Sequence, residues 1–578
     1  MNSNFLGSWF RSAQCFLSGK TPLTLIALAL LLYLPTIGWG IPQANAPDRT
    51  KTYATDSILP LEALAEMHNT FVVSKPDRNY GYPWWHYVVV AAAQAPYLVF
   101  LEATGRLAAP SSIFPFGLAD PVAALRALTL IGRLVSILMA IGTLLATYGF
   151  VRTLLGHETG LLAALFGLAS FPMMYYSGVG NLDMPVTFWS AIGVAIFASI
   201  LEHGLDRTRG IWLGAMAGLA MATKDQAVLT FLPLGIALLS RKISGAADPR
   251  THWRAVTVSL GASIAAYLFG TGMWIDPQRQ LIHLDSLLFH PERLSIAAAY
   301  VSPHLHTWPG VMALLQEAWM RAVDAYSAPI LIAAGIGMGL LVHRQLRWLM
   351  LFLPLPCLIL LLFLPTGTVL LRYYLPFGLL VDAAAAHAVW SLRGTRLRST
   401  AIPLAAFLLL FRLAPGVDLS WAQLHETRSF AGRWLAANTE PGDRLEHFGP
   451  PQKLPPMPAG VVTRPILGTR HLRQAGDRAD RVFRYLQREG PEFIAVIPDW
   501  TSSPGMDRSR DCPQEVLRAL LDGSIGYRPV ADFREPVLFR GLLKRPPLDS
   551  KQVAPRVRIF ARRDVVSRTP PHGGSSDG

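Results

Sequence analysis

Residues 122–151 read VAALRALTLIGRLVSILMAIGTLLATYGFV, an unbroken apolar stretch whose only charges are Arg126 and Arg133. Wound as a helix at about 1.5 Å per residue it is longer than the roughly 30 Å hydrocarbon core of a bilayer, so it reads as a membrane-spanning helix. Working outward, apolar runs of spanning or near-spanning length recur at about 22–40, 85–104, 159–177, 184–202, 211–240, 255–275, 327–342, 348–365, 373–391 and 400–414. The composition agrees. At 51% hydrophobic and 16% charged over 578 residues, with mean hydropathy +0.33, the chain is too apolar to bury its surface without lipid. The sequence therefore predicts a polytopic α-helical membrane protein with about eleven spans. Its basic excess, 52 Lys and Arg against 38 Asp and Glu, belongs to cytoplasmic loops and anionic headgroups rather than to nucleic acid.

After Val417 the pattern changes to charged residues, prolines and short alternating runs. Glu426–Asn438 has the spacing of an amphipathic helix, Glu492–Pro498 of a buried strand and Val557–Ala561 of an edge strand. Residues 1–416 are thus expected to form the membrane core, 417–567 a small soluble α/β domain, and 568–578 a polar, disordered tail. Cys15, Cys357 and Cys512 are too scattered for a disulfide framework or a CxxC metal site.

Basic connectors set the orientation. Arg207 and Arg209, then Arg241, Lys242, Arg250 and Arg254, then Arg344 and Arg347, then Arg393, Arg396 and Arg398 crowd the short loops that should be cytoplasmic. The loops Ser177–Pro185, Asp276–Trp308 and Pro365–Arg372, and the C-terminal domain, then face outward, with the N-terminus inside. Parity requires that either 85–104 or 122–151 does not cross. Trp84–Gly105, interrupted by His86, Gln94, Pro96 and Glu102, is the run assigned to the surface, so about 41–121 becomes one large external loop. The basic flanks of 211–240 split it into two short passes with Thr223–Gln226 at an outer tip. Arg412 in the last span is expected to snorkel to the interface.

Ionisable groups at a membrane edge are functional hypotheses by default. On this topology the outer side holds Asp48, Asp56, Arg133, Asp183, Lys224 and Arg372. Cations there suit the phosphate of a lipid substrate, and a carboxylate suits deprotonation of an incoming hydroxyl.

The order of these elements resembles a known family. Pro47-Asp48-Arg49, Tyr82-Pro83-Trp84-Trp85-His86-Tyr87, Arg133-Leu134-Val135-Ser136, Gly160-Leu161-Leu162-Ala163-Ala164, Asn181-Leu182-Asp183-Met184-Pro185, Ala222-Thr223-Lys224 and Arg372-Tyr373-Tyr374-Leu375-Pro376 look like the membrane core of type-C glycosyltransferases. The protein O-mannosyltransferase and aminoarabinose transferase branch is the nearest in look. The resemblance implies a polyprenyl-phosphate-sugar donor, an acceptor hydroxyl or amine, inversion at the anomeric carbon, and a bacterial inner membrane. It places the general base on Asp48, with Asp56 as a rival because Arg49 stands where the family often has Glu. It places the second external carboxylate on Asp183, orienting the acceptor or, in some branches, a divalent metal. The phosphate cations fall on Lys224, Arg372 and Arg133.

Plainer roles exist for the same residues. Asp183 before Met184-Pro185 is a good helix cap; Arg133 and Lys224 can snorkel; Arg372 beside Tyr373 and Tyr374 fits an interfacial belt, as does the aromatic cluster from Tyr80 to Tyr87. His283, His290, His304 and His306 lack any recognised ligand spacing, so no metal is assigned to them. Two other functions fit the outline: a flippase or transporter of lipid-linked substrates, for which no internal repeat is seen, and a non-catalytic homologue that binds a lipid-linked sugar.

Overall fold

The computed structural model describes residues 20–42, 52–54, 56–73, 82–244, 248–288, 307–344, 346–449, 454–466, 478–497, 512–539, 545–548 and 553–566. Asp48, His290, His304, His306 and the tail after Ser567 lie outside the described residues. The chain divides into two compact units. The first comprises Met1–Ile37, Asp56–Phe100 and Leu128–Val417, and the second Gly38–Thr55, Leu101–Ala127 and Asp418–Gly578.

The first unit is helical. The main helices that lie wholly or mostly in it are α1 (Lys20–Tyr33), α2 (Trp85–Ala103), α3 (Pro121–Leu155), α4 (Asp183–His203), α5 (Arg207–Met221), α6 (Pro249–Gly270), α7 (Pro277–Leu288), α8 (Gly378–Ser391) and α9 (Ala401–Leu424). Among the described residues six helices are long and apolar enough to cross a membrane, and a seventh results if Trp308–Tyr326 and Ala328–His343, bent by 97°, are one span. This is fewer than the eleven runs expected. The run 159–177 breaks into His157–Leu168 and Phe171–Tyr176, and 211–240 breaks at Ala222–Lys224.

Small residues let helices approach closely. Gly210, Gly214 and Gly218 lie one turn apart on α5 and face Ala255, Ser259 and Ser263 of α6, where a Cβ on any of the three would run into backbone carbonyls. Asp206 and Asp248 start these two helices by accepting from the backbone amides of Arg209 and Thr251. The helix α3 has 35 residues, so it reaches about 52 Å, well over a bilayer core. On one stretch it lies beside α1, with Leu25 packed against Tyr148. Its earlier turns pair with α2 in antiparallel fashion: Val90 faces Gly132, and the Gln94 side chain donates to the Leu128 carbonyl at 3.0 Å.

One sequence expectation fails inside this unit. Arg412 does not snorkel. It is buried, 2.8 Å from the Asp382 carboxylate, and donates to the Tyr326 carbonyl at 3.0 Å. An acid on the neighbouring α8 gives the guanidinium a nearer partner than the interface.

The second unit holds a five-stranded sheet, β1 (Arg444–Phe448), β2 (Val462–Pro465), β3 (Phe493–Val496), β4 (Tyr527–Phe533) and β5 (Val557–Arg562), in the order β2-β1-β3-β5-β4. The pairs β1–β2 and β1–β3 are parallel; β3–β5 and β4–β5 are antiparallel. The predicted buried strand is β3. The predicted edge strand is β5, which is instead interior, because β4 covers its outer side. Helix α10 (Thr427–Asn438) packs Ala431 and Leu435 on one sheet face with Leu445, Phe493 and Ile559; α11 (Arg478–Glu489) packs Val482 and Leu486 on the other with Ile494 and Phe560.

Candidate active site

Asp56 has a left-handed backbone (φ 55°), the conformation of a tight turn. Immediately after it the chain is stitched to the loop before α4: the Ser57 hydroxyl donates to the Val179 carbonyl at 2.6 Å and the Ile58 amide to the Gly180 carbonyl at 3.0 Å. The first loop and the 179–181 turn therefore travel together. Gly180 (φ 67°) completes that turn over the side chain of Arg133.

Asp183 is the first residue of α4, and Leu182 occupies the cap position. Its carboxylate is thus not the helix cap that the sequence allows. One oxygen contacts the Lys224 ammonium and the other accepts from the Asn181 side-chain amide at 2.8 Å. Asp183 and Lys224 are each only 3% exposed. Lys224 stands in the extended break after α5 (φ −159°), with the rings of Tyr82 and Tyr373 5.7 and 5.9 Å from its nitrogen. Burial pushes the Lys224 ammonium pKa down, and the Asp183 carboxylate opposes that shift. Burial pushes the Tyr82 hydroxyl well above its ordinary range.

Arg372 is the second residue of the short 3-10 segment Leu371–Phe377. Its guanidinium pairs with Asp56, and it feels Asp183, Tyr82 and Tyr373 as well. The two side chains differ in access: Arg372 is 11% exposed and Asp56 35%. Four of the residues singled out in the sequence, Asp56, Asp183, Lys224 and Arg372, therefore meet at one place. Arg133 does not join them. It is buried behind the 179–181 turn and donates to the Ile37 carbonyl at 2.7 Å.

Next to the quartet lies a small pocket. Asp183 and Arg372 supply its polar end; Val186, Leu229, Leu358, Leu362, Pro376 and Phe377 supply apolar walls. A metal fits poorly at Asp183, because one oxygen faces an ammonium and the other is already hydrogen-bonded. His283 is accounted for by Asp225, 3.1 Å away, and its helix α7 is also held by Arg279 on Glu66 at 3.4 Å.

Asn181, Asp225 and Asp382 carry contacts that the sequence does not assign. Asn181 lies two residues before Asp183 in a motif already singled out. Asp382, an acid inside the apolar run 373–391, is itself a signal of a buried partner.

Residues 126–274 match the sequence model of the family described as dolichyl-phosphate-mannose-protein mannosyltransferase. The resemblance stated from the motifs holds over that stretch. Among solved structures, ArnT from Cupriavidus metallidurans in the apo state is 14% identical, with 95% of this chain and 98% of that chain covered and a TM-score of 0.44. The same protein bound to undecaprenyl phosphate is 14% identical, covered 95% and 99%, with a TM-score of 0.42. The Archaeoglobus fulgidus oligosaccharyltransferase in the apo form is 13% identical over 72% of this chain, with a TM-score of 0.40, and the match spans 58% of that protein's length. No curated protein sequence matches the chain.

Proposed function

We propose that this protein is an integral membrane glycosyltransferase that moves a sugar from a polyprenyl-phosphate donor to an acceptor hydroxyl on the extracytoplasmic side. The observation that carries this is the convergence of Asp56, Asp183, Lys224 and Arg372, two of which, Asp183 and Arg372, line a pocket with a largely apolar remainder. Arg372 and Lys224 hold the donor phosphate. Asp183, clamped by Asn181, fixes the Lys224 ammonium rather than reacting.

Of the described acids, Asp56 has the access a base needs. The arriving phosphate competes for Arg372 and releases the Asp56 carboxylate. Asp56 then takes the acceptor hydroxyl proton as that oxygen attacks the anomeric carbon. The bond from that carbon to the phosphate oxygen breaks, its electron pair leaves with polyprenyl phosphate, and the configuration inverts. Lys224 and Arg372 stabilise the growing charge on the leaving phosphate.

The outer location rests on the basic short loops, which leave the opposite side to Asp56, Asp183, Lys224 and Arg372; Trp85–Ala103, which the sequence assigns to the surface, is itself long and apolar enough to cross. Incubation of the purified protein with a panel of radiolabelled undecaprenyl-phosphate sugars, mannose first, tests the function. Release of undecaprenyl phosphate with label transferred to an acceptor is expected; a donor that is bound or flipped across a vesicle but never consumed would favour the transporter.

A further inference from the structure

Helix α7 turns a polar face inward. Arg279, Gln280, His283 and Ser286 fall on one side of it and are buried, while Leu281 is exposed. A helix held only for stability buries its apolar side. Here the polar side chains are satisfied instead by three separate segments of the membrane unit, which offsets the cost of burying them. The Arg279 guanidinium donates to the Thr70 hydroxyl at 3.2 Å and stands 3.4 Å from the Glu66 carboxylate. The Gln280 side-chain amide donates to the Tyr267 hydroxyl on α6 at 2.7 Å. His283 Nε2 lies 3.1 Å from the Asp225 carboxylate. Asp276 starts the helix by accepting from the Arg279 backbone amide at 3.1 Å.

Asp225 is the residue after Lys224, and the chain is broken there: Lys224 is extended, and the short 3-10 turn Asp225–Ala227 follows it. Several contacts hold this break. The Trp85 amide donates to the Ala222 carbonyl at 3.1 Å, and the Ala227 amide closes the turn on the Lys224 carbonyl at 3.0 Å. The two neighbouring side chains then reach different helices, the Lys224 ammonium meeting Asp183 on α4 and the Asp225 carboxylate meeting His283 on α7. A turn of the backbone that moved the ammonium would have to give up the His283 contact.

We propose that α7 is a brace for this break, and that His283, acting through Asp225, is a positioning residue for the Lys224 ammonium. The proposal rests on the reading of Lys224 as a cation for the donor phosphate. Polar contacts suit the task because each is directional, whereas an apolar face can slide. At its other end the brace is anchored by Arg279 to Glu66, on the helix Glu62–His68, and to Thr70 just beyond it. His283→Leu leaves Asp225, which is partly exposed, free to turn to solvent, so the variant loses the contact without stranding a buried charge.

The test uses the full chain in detergent as wild type, His283→Leu, His283→Gln, Lys224→Gln and the double variant of Lys224→Gln with His283→Leu, each titrated calorimetrically with undecaprenyl phosphate. His283→Leu should bind about three- to tenfold more weakly, the range for one hydrogen bond. His283→Gln, whose amide nitrogen can take the place of Nε2, should stay within about twofold of wild type. In the Lys224→Gln background His283→Leu should change affinity by less than about twofold, because its effect runs through the ammonium. Hydrogen exchange locates the change: peptides covering 222–227 should exchange faster in His283→Leu, and those of α4 should not. Wild-type affinity in His283→Leu, an undiminished loss in the Lys224→Gln background, no rescue by His283→Gln, or an equal rise of exchange in α4 would each overturn the proposal. Failure of the underlying reading looks different: Lys224→Gln would bind undecaprenyl phosphate as wild type does while 222–227 still loosened in His283→Leu, and α7 would then brace a break that has no part in phosphate binding.

Discussion

Asp56→Asn separates the two jobs assigned to the first loop. The change keeps shape and removes one charge, so the pairing with Arg372 is weakened while the stitches at Ser57 and Ile58 remain. Two charges about 4 Å apart interact by roughly 4 kcal/mol at an effective dielectric near 20. Asp56 is 35% exposed, so solvent screening reduces this to about 0.5–1 kcal/mol. That pair must be broken before a phosphate uses Arg372 fully. Asp56→Asn should therefore bind undecaprenyl phosphate about two- to fivefold more tightly, while turnover falls about 10²- to 10⁴-fold with loss of the base. Calorimetric titration with undecaprenyl phosphate and consumption of radiolabelled donor, on the same preparations, give the two numbers. Asp48→Asn runs in parallel, since the family likeness puts the base there. Full turnover in Asp56→Asn with loss in Asp48→Asn would return the base to Asp48, and weaker phosphate binding in Asp56→Asn would refute the competition for Arg372.

Further outcomes follow from the same geometry. Lys224→Gln should weaken undecaprenyl phosphate binding about 10- to 100-fold, the range for losing a charge-assisted hydrogen bond of roughly 1.5–3 kcal/mol, measured by the same titration. Gly214→Val should destabilise the membrane unit by about 1–3 kcal/mol, since α6 backbone lies against that position, and thermal unfolding in detergent reads it. Glu446 is buried on β1 and accepts from the Tyr485 hydroxyl at 2.5 Å; burial raises its pKa above the ordinary carboxylate value. A raised folded-state pKa means that its protonated form favours folding at low pH and that this advantage is lost as pH rises past the unfolded value. Glu446→Gln should thus raise the melting temperature at neutral pH and change it little at pH 4, with the gap opening between.

The membrane class and the position of β3 were legible because both rest on unbroken apolar runs, whose burial does not depend on neighbours far along the chain. The quartet was legible for a related reason: a charge at a membrane edge is costly enough to be conspicuous. What could not be read was pairing. Asp183 looked like a cap because Met184-Pro185 begins a helix in sequence, yet the helix starts one residue earlier and the carboxylate turns to Lys224, 41 positions away. The stripe of Gly210, Gly214 and Gly218 on Arg207–Met221 was not legible, since hydropathy does not register a residue whose value lies in having no side chain. β5 became interior only because β4, a weakly patterned strand with a bulge between Pro529 and Ala531, pairs outside it.

Among the buried ion pairs of the membrane unit, Lys224–Asp183 and Asp382–Arg412 differ in surroundings, and that separates their roles. Lys224 and Asp183 adjoin the pocket that also exposes Arg372, so charge there can meet a substrate. Asp382 and Arg412 are each about 2% exposed at the side chain, and the small pocket beside Asp382 is lined by Thr143, Thr147, Ser170 and Tyr326 rather than by any of the quartet. If the second pair is structural, removing one partner leaves an uncompensated charge and costs about 3–5 kcal/mol, whereas removing both with well-packed apolar residues is close to neutral. Arg412→Met should therefore unfold at a markedly lower temperature, Asp382→Leu with Arg412→Met should recover most of the loss, and turnover per folded molecule should match wild type in the double variant. The same double replacement at Asp183 and Lys224 should abolish turnover however well the protein folds. A double variant at Asp382 and Arg412 that folds yet transfers no sugar would show that this pair, too, belongs to the reaction.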